Sequence, residues 1–185
     1  VAPNGNATLG VENPATEQEF ASVALADIAD VDRAVAAARA AFPAFAATPP
    51  IERAQLLRRI ADEIAARSEL IAELITAEMG SPADFARSFH AAGAVASFRQ
   101  MAEVVETYAF EQAIPGALVV REPIGVCALI IPWNAPTSIL ANKVATALAA
   151  GCTVVAKPSE VSPLASLVMA EAIRGTAERF DLLAR

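Results

Sequence analysis

The stretch that most constrains this chain covers residues 121–160, REPIGVCALIIPWNAPTSILANKVATALAAGCTVVAKPSE. Within it, IGVCALII over residues 124–131 carries no polar side chain, which predicts a strand covered on both faces, as in a parallel sheet. Pro132 ends that strand. A helix over residues 137–150 then closes at Gly151, and a second strand follows over residues 153–156. This connection is long enough for a right-handed βαβ crossover. Polar groups stand at both strand exits, Asn134 after the first and Lys157 and Glu160 after the second. Ligands of open parallel sheets sit beyond the carboxyl ends of the strands, so these residues fall where chemistry is expected.

The chain upstream reads as a hairpin followed by helices. ENPATEQEF lies between two short apolar stretches and suggests a turn around Asn13 and Pro14. Asp30 is the expected N-cap of a first helix that turns Val31, Ala34, Val35 and Ala38 to one face and ends near Phe45. Pro50 suits the first turn of a second helix, with Leu56, Leu57, Ile60 and Ile64 inward. Ser68 is the expected cap of a third, with Ile71, Leu74 and Ile75 inward and Gly80 and Pro82 as its stop. A longer Ala-rich helix should span residues 82–108, and Pro115-Gly116 with the apolar run after it suggests a turn and an extended arm able to pair with another sheet edge. Three regions follow: residues 1–113 as hairpin and helices, 114–123 as the arm, and 124–185 as the start of the sheet. The last of these closes with a helix beginning near Ser162-Pro163. The fold class is α/β, a hairpin and helical layer followed by the first βαβ of an incomplete Rossmann-like sheet.

Composition narrows the function. The 185 residues are 55% apolar, enough for a sizeable core, and no run of about 18 consecutive apolar residues predicts a membrane span. A formal charge of −7 without clustered Lys and Arg argues against a nucleic-acid partner. Cys127 and Cys152 sit in apolar runs without CxxC or metal-ligand spacing, so buried free thiols, a cytoplasmic location and no metal are expected.

The residues at the strand exits admit two readings each. Asn134 can donate its side-chain amide to a developing oxyanion, or serve as an Asx-turn or helix N-cap. Lys157 and Glu160 can hold ribose hydroxyls, or form a surface ion pair. Trp133 can lie over a ligand or belong to the core. His90 has no Ser, Cys or second His at catalytic spacing and reads as a solvated or packed side chain. No GxGxxG or GxxxxGKS run supports a glycine-rich phosphate loop.

REPIGV, IIPWN and ALAAGCTVVAKPSE, at these separations, resemble the aldehyde dehydrogenase superfamily. ENPATEQEF, DVDRAVAAARAAF and IERAQLLRRIADEIAARSELIAELITAEMGSP extend the resemblance upstream, so that it covers about residues 8–172. It implies that Asn134 is the oxyanion-hole amide, that Ile130, Ile131, Pro132 and Trp133 lie along the nicotinamide side of the cofactor, and that Lys157, Ser159 and Glu160 belong to the adenosine ribose site. The implied cofactor is NAD or NADP, with Glu160 leaning toward NAD, and the implied substrate is an aldehyde oxidised to an acid. Lys143 matches a lysine common at that point of the helix.

In the family's chemistry a thiolate attacks the aldehyde, hydride passes to the nicotinamide and a Glu activates water. The nucleophilic Cys of a GQxC-type run, the general base of an ELGG-type run and the helix-opening GxxxxG lie further along a family subunit and do not occur in this sequence. The expectation is therefore an N-terminal portion of such an enzyme, without dehydrogenase activity of its own and lacking most of the phosphate site. The alternative is a non-catalytic module pairing with itself or with full-length subunits.

Overall fold

A computed structural model describes residues 3–5 and 7–179. Strands β1 (Thr8–Asn13) and β2 (Gln18–Ala24) form an antiparallel hairpin. The helices α1 (Ile28–Ala46), α2 (Pro50–Ala65) and α3 (Ser68–Met79) follow. Next come α4 (Ala83–Phe85), a π-helical turn (Ala86–Ala91) and α5 (Ala92–Thr107), through which the backbone stays helical. A second hairpin, β3 (Glu111–Ile114) with β4 (Ala117–Val120), projects from the body with all of its residues exposed. The remainder is β5 (Val126–Ile130), α6 (Pro136–Ala149), β6 (Thr153–Lys157) and α7 (Leu164–Arg179), with β5 and β6 parallel.

The first helix starts earlier than its sequence suggests. Asp27 is the N-cap, accepting from the Asp30 backbone N–H at 2.9 Å, while the Asp30 carboxylate accepts from the Asp27 N–H at 3.0 Å. Asp30 is thus the third residue of a capping box and not the cap. The inward stripe becomes Val35, Ala38 and Phe45, and Val31 is exposed. Arg67, not Ser68, precedes α3, because the Ser68 hydroxyl donates back to the Ile64 carbonyl of α2 at 3.4 Å. Gly80 ends α3 in the left-handed region at φ 75°, and a Cβ there would stand 3.1 Å from the Pro14 ring of the first hairpin.

Leu56, Leu57, Ile60 and Ile64 are buried as expected, and with Ile71, Ile75, Phe98, Val144 and Met169 they form one core shared by α2, α3, α5, α6 and α7. Many of its remaining members are alanines, which lets the helices approach closely. The expectation for β5 fails in part. Its ordered strand is shorter than residues 124–131, and it is only half-buried, with Ile130 70% and the preceding Ile124 90% exposed. Leu129 and Ile131 turn to the core while Ala128 and Ile130 on the opposite face are exposed, so among the described residues only one face of β5 is covered. No helix of the described residues is long and apolar enough to cross a membrane.

Candidate functional site

The parallel register sets Ile130, the last residue of β5, directly opposite Lys157, the last of β6. The ladder continues one step further, the Ile131 N–H donating to the Lys157 carbonyl at 3.1 Å. The two exit loops therefore leave side by side, and Asn134, Lys157, Ser159 and Glu160 share one edge of the sheet.

Asn134 is exposed and its amide has no hydrogen-bond partner among the described residues. The capping alternative is not realised, since Ala135 precedes α6 without a side-chain cap and Pro136 takes the first helical position. Pro132 and Trp133 are exposed beside it, Trp133 at 54%, so this aromatic does not belong to the core. Ile131 is buried and anchors the loop. The Ile130 carbonyl accepts from Lys143 Nζ at 2.8 Å, which gives the α6 lysine a definite place beneath the loop.

Lys157 Nζ donates to Glu160 Oε2 at 2.7 Å, with both side chains more than half exposed. The hydrogen bond from Lys157 holds the Glu160 carboxyl below its ordinary range, and the Glu160 backbone N–H and the lysine charge add to this. Ser159 is buried and its hydroxyl accepts from the Val161 N–H at 3.2 Å, so it shapes the loop. Ser162, fully buried, donates its hydroxyl to the Trp133 carbonyl at 3.0 Å and ties one exit loop to the other.

Glu78 lies 2% exposed near the end of α3. Its carboxylate accepts from the Leu164 N–H at 2.7 Å and from the Ala165 N–H at 3.0 Å, two of the donors left open at the start of α7. Burial pushes its pKa up, against the lowering effect of these two hydrogen bonds. Sequence reading missed Glu78, although one signal was there: it continues the inward series Ile71, Ile75 of α3, where a carboxylate needs a partner.

The other candidates lie elsewhere. His90 is 1% exposed in the π-helical turn, set edge-on against the rings of Phe85 and Phe89, with neither ring nitrogen partnered. Burial lowers its pKa. Cys152 is buried but Cys127 only half-buried, both as free thiols near the starts of β6 and β5, far along the strands from Asn134. Burial, then the adjacent Cys152, pushes the Cys127 thiol up. No cluster of three or more metal-ligating side chains occurs among the described residues.

The sequence profile of the aldehyde dehydrogenase family matches residues 1–177. A 3-succinoylsemialdehyde-pyridine dehydrogenase of a Pseudomonas species is 41% identical over 171 residues, which are 92% of this chain and 36% of that protein. Among solved structures, a variant of aldehyde dehydrogenase C from Pseudomonas syringae, complexed with NAD+ and octanal, superposes with a TM-score of 0.92 at 46% identity, over 95% of this chain and 36% of that one. An aldehyde dehydrogenase from Bartonella henselae gives a TM-score of 0.90 at 35% identity, over 95% and 38%. The chain thus spans little more than a third of the length of these proteins.

Proposed function

The chain belongs to the aldehyde dehydrogenase family, and from that premise we propose that it supplies the oxyanion donor and the ribose-holding edge of an NAD-dependent site that oxidises an aldehyde to a carboxylic acid. The observation that carries this reading is the opposition of Ile130 and Lys157, which sends the Asn134 loop and the Lys157–Glu160 loop off one sheet edge together. Asn134, unpartnered and exposed, is free to donate to a carbonyl oxygen as it gains charge, a contribution of about 3 kcal/mol in sites of this kind.

The donor set fits a dinucleotide. Lys157 offers donors and Glu160 an acceptor to a ribose diol, and a carboxylate at that place disfavours a 2′-phosphate, which supports NAD over NADP. Ile130, Pro132 and Trp133 present an exposed apolar border on the nicotinamide side, held from behind by Ile131 and Lys143. A dinucleotide held by these residues would supply the hydride acceptor. The chain's own two thiols stand at the other end of the strands and are unsuited as nucleophile, and two free thiols support a reducing, cytoplasmic setting.

The 185-residue chain alone is expected to produce no NADH from aldehydes. Aldehyde-dependent absorbance of NADH that disappears in Asn134→Ala would overturn that expectation. Calorimetric titration with NAD tests the cofactor edge itself, and undetectable binding counts against it. A second reading, a module that pairs with copies of itself or with longer subunits, rests on the β3–β4 hairpin, whose Leu118 and Val120 are at least half exposed. Light scattering distinguishes it, a monomer at high concentration speaking against.

A further inference from the structure

We infer that Glu78 is a positioning residue, one that fixes the loop carrying Lys157 and Glu160 by holding the start of α7 in place. The inference rests on the function proposed above for what that loop binds, but its structural content stands apart. The loop over residues 158–163 is fastened at three points. At its start the Lys157 carbonyl accepts from Ile131, near its end Ser162 donates to the Trp133 carbonyl, and at its exit Glu78 takes the Leu164 and Ala165 N–H groups. The first two fastenings join it to the Asn134 loop. The third joins it to α3, which belongs to the helical core and not to the sheet.

A carboxylate is suited to this task because it accepts from two adjacent helix donors at once, while the amide of glutamine has one acceptor oxygen and turns an NH2 toward the other donor. Glu78 is nearly isosteric with glutamine, so Glu78→Gln removes the paired acceptance with little change in packing. Ile75→Val, at a fully buried neighbour on the same helix, weakens the packing and leaves the carboxylate alone.

The experiment is amide hydrogen exchange on the 185-residue chain without cofactor, for wild type and both variants. Glu78→Gln is expected to speed exchange at Leu164, Ala165 and Val161 by about tenfold or more beyond the change at core amides of α2. Ile75→Val should change all of these in common proportion. If exchange in the loop of Glu78→Gln merely follows global stability, as in Ile75→Val, the positioning role is overturned. Should Glu78→Gln not fold, wild type decides. The Leu164, Ala165 and Val161 amide shifts are expected to titrate with the Glu78 side-chain carbon at one midpoint, and a Val161 shift indifferent to that midpoint overturns the inference. No cofactor enters these measurements, so failure to bind NAD counts against the proposed function alone.

Discussion

His90 and Glu78 are both buried and both titrate, and burial acts on them in opposite senses. His90 holds its proton less readily than the ordinary 6.5, so the unfolded chain binds more protons as pH falls through that value. Its contribution to stability is present above about pH 6.5 and is lost progressively below. Urea unfolding at about pH 7.5 and about pH 5.5 should show a loss in wild type that is reduced in His90→Phe, which keeps an aromatic ring against the stacked Phe85 and Phe89. Glu78 has a raised pKa, so its contribution is full below the ordinary 4.5 and falls as pH rises through the elevated value. The stability of wild type relative to Glu78→Gln should therefore shrink as pH is raised from about 4 to about 7. If that difference grows instead, burial is not what governs this carboxyl. That Asn134, Lys157 and Glu160 stand at neighbouring strand exits was legible because the spacing of a βαβ unit places them there. Glu78 was not, since its partners stand 86 and 87 residues away and only the packing of α3 on α7 brings them together.

Element by element, the inward faces of α2 and α3 were read correctly from periodicity, whereas that of α1 was read with Val31 and Ala34, both exposed, and helix ends were read less well. The sequence pointed to Asp30 as the cap of α1, and it is the extended backbone at Asp27 that makes the earlier aspartate the cap instead. Asp27→Ala should cost about 1 kcal/mol in chemical denaturation, since it removes the side chain that meets a free helix N–H. A larger penalty is expected at Gly151, which joins α6 to β6 at φ 84°. A methyl group there would stand 2.8 Å from the Pro123 ring and run into the guanidinium of Arg53, a buried side chain lying 4.8 Å from the Phe110 ring centre. The positive φ and the closeness of the Pro123 ring both act against a side chain, so Gly151→Ala is expected to lose at least about 2 kcal/mol by thermal unfolding. A near-neutral result would mean that Arg53 can leave its place at low cost. The sequence marks Gly151 only as a helix stop; the crowding is set by Arg53, nearly a hundred positions earlier in the chain.

On the scale of the molecule, the uniform apolarity of β5 described a strand covered on both faces, and its burial was overestimated because the face of Ala128 and Ile130 is open among the described residues. The β3–β4 hairpin carries a similar excess. Leu118 and Val120 alternate along one strand and so share a face, both exposed. If the chain pairs through this face, replacing both by lysine lowers the mass found by light scattering without moving the unfolding midpoint, and an unchanged mass counts against that pairing. The joints between the helical layer and the sheet unit are distant in sequence: Thr153 donates its hydroxyl to the Ala38 carbonyl at 2.9 Å across 115 residues, and Glu78 reaches α7 across 86. A ribosome delivers α1, α2 and α3 long before β6 or α7, so the early helices wait with part of their core uncovered until the last third of the chain arrives. The expected rate-setting events of assembly are these long-range closures rather than the quick local winding that an alanine-rich helical chain suggests.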